Sequence, residues 1–262
     1  MPKRLLRVLS VLAAAALFLA GCGDSNKSAS TTTTTAAVTG NITVFAATSL
    51  TGAFTDIGKA FETANPGAKV TFNFAASSAL AQQLQSGATA DDIATADVAT
   101  LGKLFEAHLT RTPKVLAHNR LVIVTKPGNP ANIKTLGDLA NAGTVSLCAP
   151  EVPCGAYAAT ALHNAGVTID ESRVTRAANV AAALTAVTDG DAVGAIVYVT
   201  DAQAVGARVD TVTIPTEWNV VAEYPIARLK SATNAAGAQA FENFVIGAKG
   251  QAILRHYGFL KA

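Results

Sequence analysis

Four places in this chain put a small polar or turn-forming residue just ahead of a helical pattern. They are Ser49 before Leu50-Thr51, Ser77-Ser78 before Leu80, Pro153-Cys154-Gly155 before Tyr157, and Asn179 before Val180. Each reads as a capped helix N-terminus. A helix start carries backbone N–H groups without intrahelical partners and the positive end of the macrodipole, so it attracts an anion without any charged side chain. The chemistry on offer is anion binding by neutral donors. Catalysis would need an activated nucleophile or a poised acid and base, and the chain has no GxSxG, HExxH, P-loop or GxGxxG pattern. His108, His118, His163 and His256 are scattered without metal-ligand spacing. Ser77 is the residue on which a hydrolase would have to be built, but no base lies near it in sequence.

The elements that must position these starts alternate strand and helix. Residues 42–46 read as a strand, and Leu50, Ala53, Phe54, Ile57 and Phe61 follow at helical spacing. Val70, Phe72 and Phe74 alternate as in a strand, residues 80–84 open a helix, and Val98, Leu101, Leu104 and Phe105 mark the apolar face of another. Residues 121–125, 145–148, 194–199, 209–214 and 224–229 are further strand candidates, and one helix is expected over about 237–255. Alternation of this kind predicts an α/β fold with largely parallel sheets, where helix starts sit at the carboxyl ends of strands and ligands bind. The residues from 41 onward exceed one small α/β unit and suit two lobes, whose facing helix starts would line a cleft.

Half of the 262 residues are apolar and only 15% are charged, which supports a large core and excludes a disordered chain. Lys and Arg number 20 against 18 Asp and Glu, with no basic stripe, so nucleic acid is not the expected partner. Lys3, Arg4 and Arg7 followed by the apolar run 5–20 have the layout of an export signal, with a lone membrane span as the alternative. The run ends in Leu19-Ala20-Gly21-Cys22, which resembles the lipobox of bacterial lipoproteins. Residues 1–21 are therefore expected to be a signal peptide and Cys22 the lipidated residue, anchoring the protein to the outer side of the bacterial cell membrane; a cleaved or uncleaved helix without lipid stays open. Residues 22–40, with five consecutive threonines, read as a flexible tether spanning on the order of 25 Å. With Cys22 assigned to lipid, Cys148 and Cys154 remain in an oxidising compartment and are expected to pair, two free buried thiols being the alternative.

Several separated segments carry a resemblance. Ala47-Thr48-Ser49-Leu50-Thr51, Phe74-Ala75-Ala76-Ser77-Ser78-Ala79-Leu80-Ala81-Gln82-Gln83, Val152-Pro153-Cys154-Gly155-Ala156-Tyr157, Asn179-Val180, Ile196-Val197-Tyr198-Val199-Thr200-Asp201-Ala202 and Tyr257-Gly258-Phe259 fall in order and spacing. Together they resemble the extracytoplasmic molybdate-binding proteins of ABC transporters across about residues 42–260.

The resemblance implies a type II periplasmic-binding fold, two α/β lobes joined by a hinge and closing on a tetrahedral dianion. It implies lobe I from 41–119 and 224–262, lobe II from 120–223, and crossings near Asn119-Arg120 and residues 221–224. By position it implies oxyanion donors at Ser49, Ser77, Cys154, Val180 and Tyr198, with molybdenum held only as molybdate and no cofactor. Implied partners are molybdate or tungstate and the permease and ATPase of an importer, with the protein itself a monomer.

Some residues depart from the family pattern or have other readings. Thr48 stands where a smaller residue is usual, Cys154 where alanine is common, and Thr89 and Asp92 replace a proline and an apolar strand residue. For Tyr198 the alternative is a packed phenol bonded to backbone; Asp201 reads as a helix cap, Tyr157 as core, and Trp218 as a neighbour of the crossing. The rival functions are a receptor of the same fold for sulfate or another oxyanion, a surface hydrolase using Ser77, and a structural or sensory lipoprotein.

Overall fold

The structure, a computed structural model, describes residues 37–262. The expected signal peptide, Cys22 and the tether through residue 36 lie outside the described residues.

The chain runs β1 (Thr39–Ala47), α1 (Thr51–Ala64), β2 (Gly67–Ala75), α2 (Ser77–Gln85), β3 (Asp92–Ala94), α3 (Val98–Glu106) and β4 (Lys114–Thr125). It continues through α4 (Leu136–Asn141), β5 (Val145–Cys148), α5 (Pro153–Asn164), β6 (Val174–Ala177), α6 (Val180–Thr188), β7 (Gly194–Tyr198) and α7 (Val199–Val205). The last elements are β8 (Asp210–Thr213), β9 (Val221–Arg228), α8 (Ala235–Ile246) and α9 (Ala248–His256).

The strands pair in the order β2-β1-β3-β9-β4-β7-β5-β6, with β8 also on β4. Pairing is parallel where helices connect the strands, at β1–β2, β1–β3, β5–β6 and β5–β7. It is antiparallel at β3–β9, β4–β9, β4–β7 and β4–β8. Strand β4 changes partners midway: Arg120 still opposes Val221 of β9, whereas Leu121 opposes Tyr198 of β7. Asn219, in the segment that returns from β8 to β9, braces this point. Its Oδ1 accepts from the Leu121 N–H at 3.1 Å and its Nδ2 donates to the Leu121 carbonyl at 2.9 Å.

The alternation of β1 explains the layering. Ile42, Val44 and Ala46 join Phe54, Ile57, Phe61 and Phe241 in the main core, while Phe45 joins Leu80, Leu84, Leu101 and Leu104 of α2 and α3 in a second cluster. Phe241 meets Phe54 and Phe61 edge-on, at 6.0 and 5.4 Å between centroids. Each fully buried aliphatic or phenyl side chain contributes roughly 1.5–3 kcal/mol of transfer free energy.

Local expectations are corrected at four places. Thr39 and Gly40, assigned to the tether, belong to β1 and pair with Gly67 and Ala68, because the neighbouring strand supplies hydrogen bonds that composition alone does not reveal. The helix expected over 237–255 is two helices, because Gly247 adopts an extended conformation (ψ 172°) that ends α8 and caps α9. In α3, Leu101 and Leu104 are buried but Val98 and Phe105 are 49% and 43% exposed, so its apolar face is narrower than its apolar residues suggest. Strand β4 begins at Lys114, well before residue 121, since its first half is a sheet strand with polar side chains.

Asp92 lies in a buried strand, as the surrounding pattern suggests, and is itself fully buried between β1 and β9. Neither of its carboxylate oxygens has a hydrogen-bond partner among the described residues. Burial, reinforced by Glu242 and Asp91, pushes its carboxyl well above the usual range.

Candidate functional site

Three helix starts and one short turn converge on a cavity of about 20 Å3, lined by Ala47, Thr48, Ser49, Ala76, Ser77, Ala96, Val152, Pro153, Cys154, Asn179, Val180 and Tyr198. A single water needs roughly 10–15 Å3 by the same measure, so the space fits a guest of a few atoms. Ser49, Ser77, Cys154, Val180 and Tyr198, the five residues singled out in the sequence, all line it. No Asp, Glu, His, Lys or Arg does.

The helix starts are arranged differently from the capping pattern expected. Ser49 lies inside a 3-10 turn (Thr48–Leu50) whose cap is Ala47, and Ser77 is the first residue of α2 after the cap Ala76. Val152 caps α5, with Pro153 in the first turn. None of these three caps has a side-chain hydrogen bond to the helix. Their first-turn N–H groups are left for a guest, and the serine hydroxyls are not spent on capping. Asn179 does cap α6, accepting from the Ala182 N–H at 2.9 Å, and the cap bond does not engage Val180, which lines the cavity.

Each hydroxyl has a defined environment. Ser77 Oγ accepts from the Ala96 N–H at 3.0 Å. Ser49 Oγ is 2.9 Å from the Tyr224 hydroxyl, which lies 3.5 Å from Asn119 Nδ2. Tyr198 is 1% exposed, packs edge-on against Tyr224 at 5.7 Å, and its hydroxyl has no hydrogen-bond partner among the described residues. The alternative of a phenol bonded to backbone is not what is seen. Burial raises the Tyr198 phenol well above its ordinary range, so it keeps its proton.

Thr48 is the residue that sequence reasoning passed over. Its Oγ1 is out of reach of solvent and has no partner among the described residues, and the side chain lines the cavity. The signal was present, since a hydroxyl replaced a smaller residue beside Ser49, but only packing shows which way it is enclosed.

The surrounding residues support the floor of the site. Asp201 accepts from the Tyr198 N–H at 3.2 Å as part of the α7 capping arrangement, in keeping with a structural cap, and burial pushes its carboxyl up to about 7. Tyr157 is half-buried on α5 and outside the cavity lining. Trp218 is half-buried next to Asn219. Cys148 and Cys154 are bonded, with Cα atoms 5.8 Å apart, linking the end of β5 to the first turn of α5. Arg176 Nη1 donates to the Cys148 carbonyl at 3.1 Å. A Cβ on Gly155 would come within 2.1 Å of the Ala149 carbonyl oxygen, so only glycine lets the β5–α5 turn fold this tightly.

Comparison with known proteins agrees with this architecture. Residues 42–260 match the family described as bacterial extracellular solute-binding protein. The molybdate-binding protein ModA of Mycobacterium tuberculosis is 40% identical over 245 residues, covering 93% of each chain. Among solved structures, the periplasmic molybdate-binding protein of Azotobacter vinelandii superposes with a TM-score of 0.76 at 20% identity, covering 84% of this chain and 99% of that one. The sulfate-binding protein SubI of Mycobacterium tuberculosis superposes with a TM-score of 0.75 at 21% identity, covering 85% and 87%. The fold is the type II periplasmic-binding fold anticipated from the segments in register. Set on that fold, an uncharged cavity lined by helix starts fits capture rather than catalysis, and the chain belongs to the bacterial extracellular solute-binding proteins.

Proposed function

We propose that the chain captures molybdate, and tungstate with it, in this cavity and hands the oxyanion to the permease and ATPase of an ABC importer. The observation that carries the reading is the pair of enclosed hydroxyls of Thr48 and Tyr198, without hydrogen-bond partners among the described residues, in a cavity that also presents Ser49, Ser77 and the first turns of α5 and α6 and is lined by no charged side chain. Buried donors left unpaired cost free energy, and a dianion with four oxygens supplies the acceptors they lack. The 40% identity to a molybdate-binding protein over nearly the whole chain supports the same reading.

In this reading lobe I comprises residues 41–119 and 224–262, lobe II comprises 120–223, and the crossings at β4 and before β9 form the hinge. Ser49, Ser77 and Thr48 receive the anion from lobe I. Closure then brings the amides of Cys154 and Val180 and the Tyr198 phenol onto it. Hydrogen bonds to a charged group contribute roughly 1.5–3 kcal/mol each, so such a ring offsets dehydration and the entropy of closure. The closed form is the one a permease would recognise. The protein binds and releases without chemistry. We further infer that the mature chain is a monomer, begins at a lipid-modified Cys22 and works outside the cytoplasm on the tether that follows.

Sulfate is the second reading, favoured by the SubI superposition. It carries the same charge and shape, so only cavity size, set against the longer metal–oxygen bonds of molybdate, can separate the two. Titration calorimetry with molybdate, tungstate, sulfate and phosphate, alongside elemental analysis of the purified protein for Mo and W, tests both. Tight molybdate binding with weak sulfate binding is expected; equal affinities would remove the specificity.

A further inference from the structure

Two of the helix starts at the cavity grow out of neighbouring strands. β5 leads through residues 149–152 into α5, and β6 leads through Ala178 and Asn179 into α6, so Cys154 and Val180 reach the cavity from adjacent strand ends. The parallel ladder that joins the two strands stops short of those helices. Its last residue pair is Cys148 with Ala177, and the Ala149 N–H donates to the Ala177 carbonyl at 2.8 Å before the chains part. β6 is only four residues long and lies at the edge of the sheet, so this end of the ladder is the kind that opens locally.

One side chain spans the parting. Arg176, on β6, donates from Nη1 to the Cys148 carbonyl at 3.1 Å. The other side of its fork is taken by Glu171, which accepts Nε–H on one carboxylate oxygen at 3.2 Å and Nη2–H on the other. A guanidinium is planar and rigid, so a carboxylate that holds Nε and Nη2 fixes the direction in which Nη1 points. From α5, Gly155 approaches the same carbonyl, where a Cβ would come within 2.7 Å. The Cys148 carbonyl is thus gripped from β6 at the point over which α5 begins. The two side chains of the ion pair are 34% and 69% exposed, and pairs this open add little to overall stability. Neither residue lines the cavity. Their effect is local, on the spacing of two groups of donors that must stay within about half an ångström of their working positions.

We propose that Arg176 is a positioning residue, whose guanidinium, aimed by Glu171, ties the start of α5 to the strand that opens α6, so that an ion pair outside the cavity sets the spacing of the donors inside it. This rests on the oxyanion reading above and adds what keeps the donors of α5 and α6 in register. The brace acts where the ladder no longer does. Without it the β5–α5 turn and the start of α6 move independently, and a guest that needs both at once is held less tightly.

The test combines calorimetric titration with molybdate and amide hydrogen exchange of the ligand-free, full-length protein, as wild type, Arg176→Met, Glu171→Gln and the double variant. Methionine keeps an apolar stem and removes the fork. Arg176→Met is expected to weaken molybdate binding about fivefold or more, while the melting temperature of the ligand-free protein moves by no more than about 3 °C. Glu171→Gln, which keeps an acceptor but gives up the charged grip, is expected to weaken binding about twofold to threefold, and to add nothing in the Arg176→Met background, because Glu171 acts through the guanidinium. In Arg176→Met the hydrogen-bonded amides of Ala149 and Val152 at one start, and of Ala182 and Ala183 at the other, should exchange faster, with rates at α1 and α2 unchanged. Glu171→Gln carries both readouts if Arg176→Met does not fold.

Unchanged affinity in Arg176→Met, faster exchange at one start only, a full Glu171→Gln effect without Arg176, or a large melting loss with faster exchange throughout the chain would each overturn the brace. A wild type that binds sulfate and not molybdate would instead overturn the molybdate reading, and the same fold-changes would then be read with sulfate. Binding of neither anion would overturn the oxyanion reading, while faster exchange confined to the two starts would still show that Arg176 ties them together.

Discussion

At the scale of the residue, the site is made of groups whose ordinary partners have been withheld. Thr48 Oγ1 and Tyr198 OH are enclosed with no hydrogen-bond partner among the described residues, and the caps Ala47, Ala76 and Val152 lack a side chain that would satisfy the helix start. Native proteins pair nearly all buried polar groups, and on the proposed function the oxyanion supplies what these two hydroxyls lack. Thr48→Val, nearly isosteric, is expected to weaken molybdate binding by about tenfold, as loss of one bond to a charged group does, while Thr48→Ser retains most of the affinity. Calorimetry on the two variants checks this; equal affinities for both would show that the threonine only packs. Ser49 and Ser77 were legible from their position before helical patterns, but that Ala47 and Ala76 rather than the serines are the caps was not, because which residue caps depends on backbone geometry at one position.

At the scale of the element, the tight β5–α5 turn sets where the start of α5 meets the cavity. The Cys148–Cys154 bond and Gly155 both act there, one by tying the α5 first turn to β5 and the other by permitting close approach to the Ala149 and Cys148 carbonyls. Replacing both cysteines by serine is expected to lower stability by roughly 2 kcal/mol on the chain-entropy account of a short loop, read from denaturant unfolding. Gly155→Ala is expected to cost more in affinity than in fold, because the start of α5 must shift to relieve the contact at 2.1 Å; calorimetry against circular dichroism separates the two. Pairing of the cysteines was the expectation from their number and from the oxidising compartment that an export signal would imply. That the bridge sits beside the cavity was not, since it depends on where α5 docks.

At the scale of the whole molecule, two carboxyls make stability depend on pH in an unusual direction. Asp92 is buried without a partner and raised well above its ordinary range, first by burial and then by Glu242 and Asp91; Asp201 is raised to about 7 by burial. A carboxyl raised in the folded state contributes stability that is fully present below its unfolded value, about 4, and lost as pH climbs through its folded value. Asp92→Asn and Asp201→Asn abolish that titration, so the melting temperature of each variant relative to wild type should rise as pH increases from about 4 to above 7. A pH-independent difference would show that the groups titrate normally. Asp92 stood out in the sequence as a charged residue in an apolar strand, but its surroundings come from β9 and α8, more than a hundred residues away.

The alternation of strands and helices was readable from the chain alone, because capping preferences and hydrophobic periods act over a few neighbouring residues, and the segments in register carried the resemblance that implied the five residues now found at the cavity. Tertiary structure alone decided that β4 serves two halves of the sheet, that Gly247 divides the last helix, that Thr48 is enclosed, and that Asn119 and Tyr224 stand behind Ser49. Those outcomes are fixed by which side chain meets which across the sheet. A short-range pattern carries no information about a hydrogen bond between residues separated by 175 positions.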